Sequence, residues 1–473
     1  MNLSRTGVQV AVTRGVSSLV LFVGLAVYAR ELSPAVMGSF FIFRVAVDLF
    51  GLLTDFGLSG ATEKRISENH HPAGELLATA LLLKTMFLLV AIAAAFAFRN
   101  ALRNYVGFEV VIPLIAALVL KEFGWLFIHA MRGNLQIEET VGFELVRHLL
   151  WTGVGVALVF AGFQLRGVLY GYLAGLGVLL GLGVVRTPIH FGRPSIAHAR
   201  SLINFSKHNF VAEMGGYVYG WLDVAMIGFF LSQTEVGLYE YAWRATVPIL
   251  IIGNAITTTL FPVISNWNSR GKSKAIEETI STSIGAALYI AIPTIFGGVI
   301  VGKELLRYLF AEPYAAAWVV LVVLTFEKAL QMLRNVFGPV LHGIDRPDLT
   351  ARATAITLVV NFALNLLLIP RFGIVGAAVA TTMSVLLSTA IHGIYLASVV
   401  TVDPPIRLVG WFTASGAAMA ACLLALRSIV AIDSLVSVIA AVVLGAVVYV
   451  ALTAAIPITR RQIVRPGFEA IRT

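Results

Sequence analysis

About fourteen apolar runs of roughly twenty residues each succeed one another along this chain, from 8–29 and 36–60 to 408–428 and 433–458, and they limit its fold severely. A run of that length crosses the ~30 Å hydrocarbon core of a bilayer as a helix. With no water at that depth, a helix satisfies every backbone N–H and C=O within the segment. The chain of 473 residues is 58% hydrophobic and 12% charged, with a mean hydropathy of +0.88. A soluble domain carries about twice that share of charge. The expected fold class is therefore an all-α polytopic membrane protein, with nothing left over for a soluble domain.

The net charge of +9 is spread over short loops, which suits topology signals facing anionic lipid and argues against a nucleic-acid partner. With the N-terminus inside, roughly eighteen Lys and Arg fall in inner loops against about eight outside. The expected location is the cell (plasma) membrane with both termini cytoplasmic. The first apolar run begins near Val8 behind Arg5 and is too long for the core of a signal peptide, so it reads as the first span.

Chemistry-bearing motifs are sparse. Cys422 is the single cysteine and lies in an apolar run, and the histidines have no metal-ligand spacing. No nucleophile–base constellation stands out, so an enzyme is not expected. The glycines of Gly175–Gly183 read as close helix packing, since no Gly-Lys-Ser/Thr follows them.

The sequence repeats itself. Leu32–Ser33 before Gly38 and Phe40 matches Leu231–Ser232 before Gly237 and Tyr239, about 199 residues later. MRGN at Met131–Asn134 matches LHGI at Leu341–Ile344, and QLRGVLYGYLAG from Gln164 matches GIVGAAVATTMS from Gly373. Six spans separate the corresponding segments, and an even number preserves direction. Two parallel repeats follow, related by an axis along the membrane normal, with a cavity expected between them. The expected organisation is a six-helix lobe over 1–190, a cytoplasmic linker or surface helix over 191–207, a second six-helix lobe over 208–400, and helices 13 and 14 with a basic cytoplasmic tail over 401–473.

Charges inside the apolar runs mark the functional surface, because each costs at least a few kcal/mol there unless it faces a bundle interior, a partner or water. Arg44, Asp48 and Asp55 share one side of the second segment. Arg14 lies in the first, Lys84 in the third, Lys121 and Glu122 in the fourth, Glu144 and Arg147 in the fifth. The second repeat places Asp223 in segment 7, Glu240 and Arg244 in segment 8, and Glu327, Lys328 and Arg334 in segment 10. Guanidinium groups suit bidentate phosphate recognition, so Arg14, Arg44 and Arg244 are candidate substrate ligands. The acids leave a second reading open, in which Arg44–Asp48, Glu240–Arg244 and Glu144–Arg147 are structural pairs. Lys84, Lys121, Glu144, Arg147 and Arg334 read as helix-end or pairing residues, and Asp55 as a cap or a partner of Lys64 or Arg65.

These residues also resemble a known family. LSPAVMGSFFIF leading to TDFGLSGATEKRIS is similar to the N-terminal signature of Wzx-type polysaccharide-biosynthesis flippases, in the MOP superfamily with the MATE exporters. The similarity continues through INFSKHNFVAEMGGYVYGWLDVAMIGFFLSQTEVGLYEYAWR, LFPVIS and HGIDRPDLTARATAITLVVNFALNLLLIPRFGIVGAAVATTMS. It implies two six-helix lobes forming a V-shaped cavity, and alternating access that moves a polyprenyl-phosphate- or pyrophosphate-linked oligosaccharide from the cytoplasmic to the outer leaflet. The lipid II flippase branch uses cavity arginines on its first, second and eighth helices, and Arg14, Arg44 and Arg244 lie on the corresponding helices here.

The expected protein is thus a flippase for cell-surface glycan assembly, working as a monomer among membrane lipids and alongside glycan-assembly enzymes. It needs no cofactor. H⁺ or Na⁺ coupling would fall to Asp48, Asp223 or Glu240, which otherwise serve as pairing acids. Two alternatives stay open: a MATE-like cation-coupled exporter of small molecules, using those same acids, and a structural membrane subunit with every charge paired. The sign of the cavity charge after pairs cancel would separate them.

Overall fold

The computed structural model describes residues 3–257 and 260–456, so the basic tail lies outside the described residues. Among the described residues there are sixteen α-helices and no strand. Contacts divide the chain into two compact units, Met1–Gly237 and Leu238–Thr473. The first holds α1 (Leu3–Glu31), α2 (Pro34–Asp55), α3 (Leu58–Ser67), α4 (Ala73–Ala97), α5 (Arg99–Val106), α6 (Val111–Gly133), α7 (Ile137–Leu158), α8 (Gln164–Arg186) and α9 (Ile196–Phe230). Helix α10 (Gln233–Thr257) starts there and leads into α11 (Leu260–Ser269), α12 (Ser273–Leu309), α13 (Trp318–Gly343), α14 (Pro347–Ala397), α15 (Ile406–Ile429) and α16 (Leu435–Ala454).

Ten stretches among the described residues are long and apolar enough to cross a membrane. Two of them, Ile137–Arg186 and Pro347–Ala397, are kinked rods of 50 and 51 residues. At 1.5 Å per residue each reaches about 75 Å, more than twice the hydrocarbon thickness. Each folds back on itself at its kink. In the first, a Cβ on Gly171 would strike the backbone of Gly155, and one on Gly175 the carbonyl of Arg147. Lipid offers no hydrophobic drive for helix association, so such small-residue contacts hold the pair together. Of the glycines expected to pack, Gly175 and Gly183 do so, against Arg147 and Phe127, while Gly177 and Gly181 face open space.

The sequence repeat has a backbone counterpart. Gln164 (φ 46°, ψ −127°) and Gly373 (φ 59°, ψ −142°) open the returning halves of the two rods in nearly the same conformation. Leu135 (φ 63°) and Asp345 (φ 60°) end α6 and α13 alike. In each turn the next residue's N–H reaches back to the helix, Gln136 to Met131 at 3.0 Å and Arg346 to Leu341 at 2.9 Å. Gly133 and Gly343 precede these turns, packed against Ile66 of α3 and Ile264 of α11, two helices of 10 residues each.

One local expectation is corrected. The second span does not continue to residue 60: α2 stops at Asp55, and Phe56 (φ 45°) and Gly57 (φ 74°) turn the chain into α3. Gly57 is required twice over, since a Cβ there would also lie 2.7 Å from the carbonyl oxygen of Ser206 on α9. The stretch expected as a linker or surface helix over 191–207 includes the beginning of α9, which starts at Ile196 behind the Ser195 cap and runs for 35 residues. One apolar core in the first unit gathers Leu58, Leu76, Leu126 and Leu202, joining α3, α4, α6 and α9. In the second unit, α15 and α16 pack on α12 through Phe412, Met419, Leu423 and Tyr449, and Arg427 ties α15 to Glu304 and to the Ile300 carbonyl.

Candidate functional site

Helix α2 carries Arg44, Asp48, Gly51 and Asp55 along one side, at steps of four, three and four. Two neighbouring helices answer them with Lys84 from α4 and Lys121–Glu122 from α6. The result is a continuous chain of ion pairs. Arg44 meets Asp48 at 3.4 Å, and Asp48 meets Lys121 at 2.7 Å. Lys121 lies 3.5 Å from Glu122, Glu122 3.1 Å from Lys84, and Lys84 2.5 Å from Asp55. Ser59, the second residue of α3, closes the chain by donating to Asp55 at 2.5 Å and accepting from Lys84 at 2.9 Å.

The chain alternates in sign and sums to zero, three cations against three carboxylates. That is how six charges survive among apolar helices: each burial cost is met by at least one opposite partner. Lys84 is wholly inaccessible, and Asp48 is 6% exposed. Gly51 makes the room. A Cβ there would come within 2.6 Å of Glu122 Oε1 and 2.7 Å of Lys121 Nζ.

At one end of the chain Arg44 enters a cage of rings, with its guanidinium carbon 4.8 Å from the centre of Tyr172, 5.5 Å from Trp151 and 5.7 Å from Trp221. The other half borders a cavity of about 470 Å³, whose lining includes Asp55, Ser59, Glu122, Trp125, Tyr217 and Trp221. Beside it, His129 Nδ1 lies 2.6 Å from Glu63 on α3, and this hydrogen bond holds the Glu63 carboxyl below the usual carboxylate range. Among the described residues, no three His, Cys, Asp or Glu side chains form a group able to hold a metal ion.

The second unit has a smaller polar set. Arg244 pairs with buried Glu240 at 2.9 Å, and Lys328 pairs with Glu327 at 2.6 Å while lying 5.1 Å from the Trp243 ring. An apolar cavity of about 510 Å³ lies nearby in that unit, lined by Tyr289, Pro293, Met419, Leu423 and Tyr449 among others.

The structure thus joins Arg44 to Asp48 and Arg244 to Glu240. Arg14 is exposed on α1, outside the ion chain, and Asp223 is half-buried on α9. Asp55 pairs with neither Lys64 nor Arg65: the break at Phe56–Gly57 starts a new helix axis, and those two bases pair with Glu68, which caps the end of α3. Glu144 joins Arg132 at 2.6 Å, not Arg147, whose guanidinium lies 2.6 Å from His148. Sequence reading put Lys84, Lys121 and Glu122 in the membrane but did not link them to α2. A usable signal was present, since the ionisable residues at depth on α2, α4 and α6 cancel in sign.

These features define a class: a multi-pass helical membrane protein of transporter architecture, with a polar site buried among its spans. A family model described as "Polysaccharide biosynthesis protein" matches residues 27–319, and one described as "Lipid II flippase MurJ" matches residues 199–452. The chain belongs to the polysaccharide biosynthesis protein family, as the Wzx-type resemblance implied. It is 36% identical over 453 residues to the "Probable low-salt glycan biosynthesis flippase Agl15" of Haloferax volcanii, covering 96% of each chain. It is 27% identical over 435 residues to the "Probable flippase AglR" of the same organism, covering 90% of this chain and 91% of that one. In fold it is similar to the lipid II flippase MurJ in an inward closed conformation, with a TM-score of 0.81 at 13% identity over 96% of this chain and 100% of that one. An inward-facing multidrug-resistance MATE transporter of the MOP superfamily gives 0.59 at 16% identity, over 82% of this chain and 94% of that one.

Proposed function

We propose that this protein is a flippase that carries a lipid-linked glycan across the membrane, and that it is not an enzyme. The observation that carries the reading is a charge-bearing cavity among apolar helices, in a chain 36% identical along nearly its whole length to a protein named a glycan biosynthesis flippase. The substrate is a polyprenyl-phosphate- or pyrophosphate-linked oligosaccharide. Its polar head travels through the protein by alternating access from the cytoplasmic to the outer leaflet, and its lipid stays in apolar surroundings. The apolar cavity beside α12, α15 and α16 suits the lipid part.

Arg14, Arg44 and Arg244 hold the phosphate in this reading. Arg44 is the best supported of the three. Its contact with Asp48 is long, at 3.4 Å, and Lys121 already holds that carboxylate at 2.7 Å. A phosphate can therefore take the guanidinium without leaving Asp48 bare. Asp48, Asp223 and Glu240 are the candidates for H⁺ or Na⁺ coupling. The protein acts as a monomer in the cell membrane, with both termini cytoplasmic, beside the enzymes that assemble the glycan. A cation exporter is less well supported, because the relatives similar along nearly the whole chain are named flippases.

The test is leaflet accessibility of a lipid-linked sugar in reconstituted vesicles. Arg44→Ala and Arg244→Ala should each slow flipping at least about tenfold, the scale of a lost charge-assisted contact of 1.5–3 kcal/mol. Wild-type rates in both variants would sink the phosphate assignment, and no flipping by the wild type would sink the function.

A further inference from the structure

We infer that the cavity in the first unit is a binding subsite for a neutral pyranose, taking one sugar of the head group. The inference rests on the flippase reading only for where that sugar comes from. Its own ground is the lining. Trp125 on α6 and Tyr217 and Trp221 on α9 supply aromatic walls, and Asp55, Ser59, Glu122, Lys121 and His129 supply polar ones. A pyranose has this same division, with a C–H-rich face that packs on an electron-rich ring and a rim of hydroxyls that seek acceptors. At about 470 Å³ the cavity is within the range of small-ligand sites.

The ion chain makes the two carboxylates suitable for this task. Lys84 bridges Asp55 at 2.5 Å and Glu122 at 3.1 Å, and each carboxylate has a second oxygen to offer a hydroxyl. Hydroxyls that reach them form charge-assisted hydrogen bonds. The lysines are already matched by carboxylates, so a neutral sugar enters without upsetting the balance, whereas an acidic sugar adds an anion beside Asp55 and Glu122. Cations steady the rings themselves: Arg132 and Arg147 lie 5.8 and 5.9 Å from Trp125, and Lys121 lies 5.8 Å from Tyr217.

Saturation-transfer NMR on the full chain in lipid nanodiscs tests this, with methyl glucoside, methyl mannoside, methyl galactoside and methyl glucuronide as probes. Transfer to the ring C–H protons of at least one neutral glycoside is expected. It should fall about two- to tenfold in Trp125→Ala and in Trp221→Ala, the scale of one lost ring contact. Trp125→Phe and Trp221→Phe should largely restore it, and Trp411→Ala, on α15 in the second unit, should leave it unchanged. Leaflet accessibility of lipid-linked sugar, measured on the same preparations, separates this inference from the flippase reading. Flipping with no glycoside transfer overturns the subsite alone, and so does transfer that survives both alanine variants. Preference for the glucuronide overturns the neutral assignment. Glycoside transfer that needs both tryptophans, without flipping, upholds the subsite and overturns the transport reading.

Discussion

Replacing Lys84 with methionine removes a buried cation that Asp55 and Glu122 share. The ammonium is 0% exposed and lies 2.5 Å from one carboxylate, 3.1 Å from the other and 2.9 Å from the Ser59 hydroxyl. Methionine keeps the length and bulk of the stem, so packing changes little and the loss is electrostatic. Stripping one partner from a buried ion pair costs about 3–5 kcal/mol, because the remaining charge stays desolvated. Glu122 keeps Lys121 at 3.5 Å, whereas Asp55 keeps Ser59 but no base within pairing distance among the described residues. Asp55 should therefore account for most of the cost. Lys84→Met with Asp55→Asn restores neutrality and should recover about 2 kcal/mol or more, within the range for residues in direct contact. The assay is equilibrium unfolding of the reconstituted protein, with Arg99→Met as reference. Arg99 pairs with Glu109 at 3.0 Å on the surface, where such a pair is worth about 0–1 kcal/mol. A Lys84→Met loss no larger than that of Arg99→Met would refute the ion chain as a structural element, and so would a double variant less stable than the single.

Gly51→Val should slow flipping of lipid-linked sugar at least severalfold, by pushing Lys121 and Glu122 out of line, whereas Gly153→Ala, which faces open space, should leave the rate unchanged. Gln164→Gly should stabilise the protein by up to about 1 kcal/mol, since Gln164 holds a positive φ that suits glycine, and Gly373→Ala should cost about 1–3 kcal/mol at the matching kink; thermal unfolding of both variants checks the two signs together. Glu63 has a folded-state pKa below its ordinary value near 4.5, so its bond to His129 contributes stability above that pH and loses it as pH falls through the lower folded value. Thermal unfolding from pH 7 to pH 3 should show wild type and Glu63→Gln converging at the acid end, and a gap that stays constant would contradict the assignment.

The repeat was legible because it rests on residues with backbone roles. Gly38 matches Gly237, and both stand where helices start against each other: a Cβ on the first would meet the Gln233 carbonyl, and one on the second the Pro34 carbonyl. Span lengths were legible for the same reason that hydropathy works at all, the bilayer's demand on backbone hydrogen bonds. The break after Asp55 was not. Phe56–Gly57 sits within an apolar run, and what stops the helix is tertiary, the passage of Ser206 and Phe210 of α9. Site residues divide similarly. Arg44 with Asp48, and Glu240 with Arg244, were visible as pairs four residues apart on one helix. Lys84–Asp55 and Lys121–Asp48 join helices whose register against each other no local pattern records. The tryptophans carry no such signal, because an aromatic in an apolar helix looks the same facing lipid or facing a cavity.

The alternation of charge bears on transport itself. A lumen with bare arginines would bind a phosphate tightly and release it slowly, and tight binding of one state does not speed passage to the next. In a closed chain of pairs, each base that takes up the substrate must loosen from a carboxylate, and that carboxylate needs another partner. Asp48 has one already, since Lys121 lies nearer to it than Arg44 does, at 2.7 against 3.4 Å. Exchange at Arg44 is therefore less costly than exchange at Lys84, whose departure bares Asp55. The same geometry that makes Lys84 a structural residue makes Arg44 the cation of the chain best suited to binding and letting go. Lys84→Met should accordingly be read in stability, and Arg44→Ala in flipping rate.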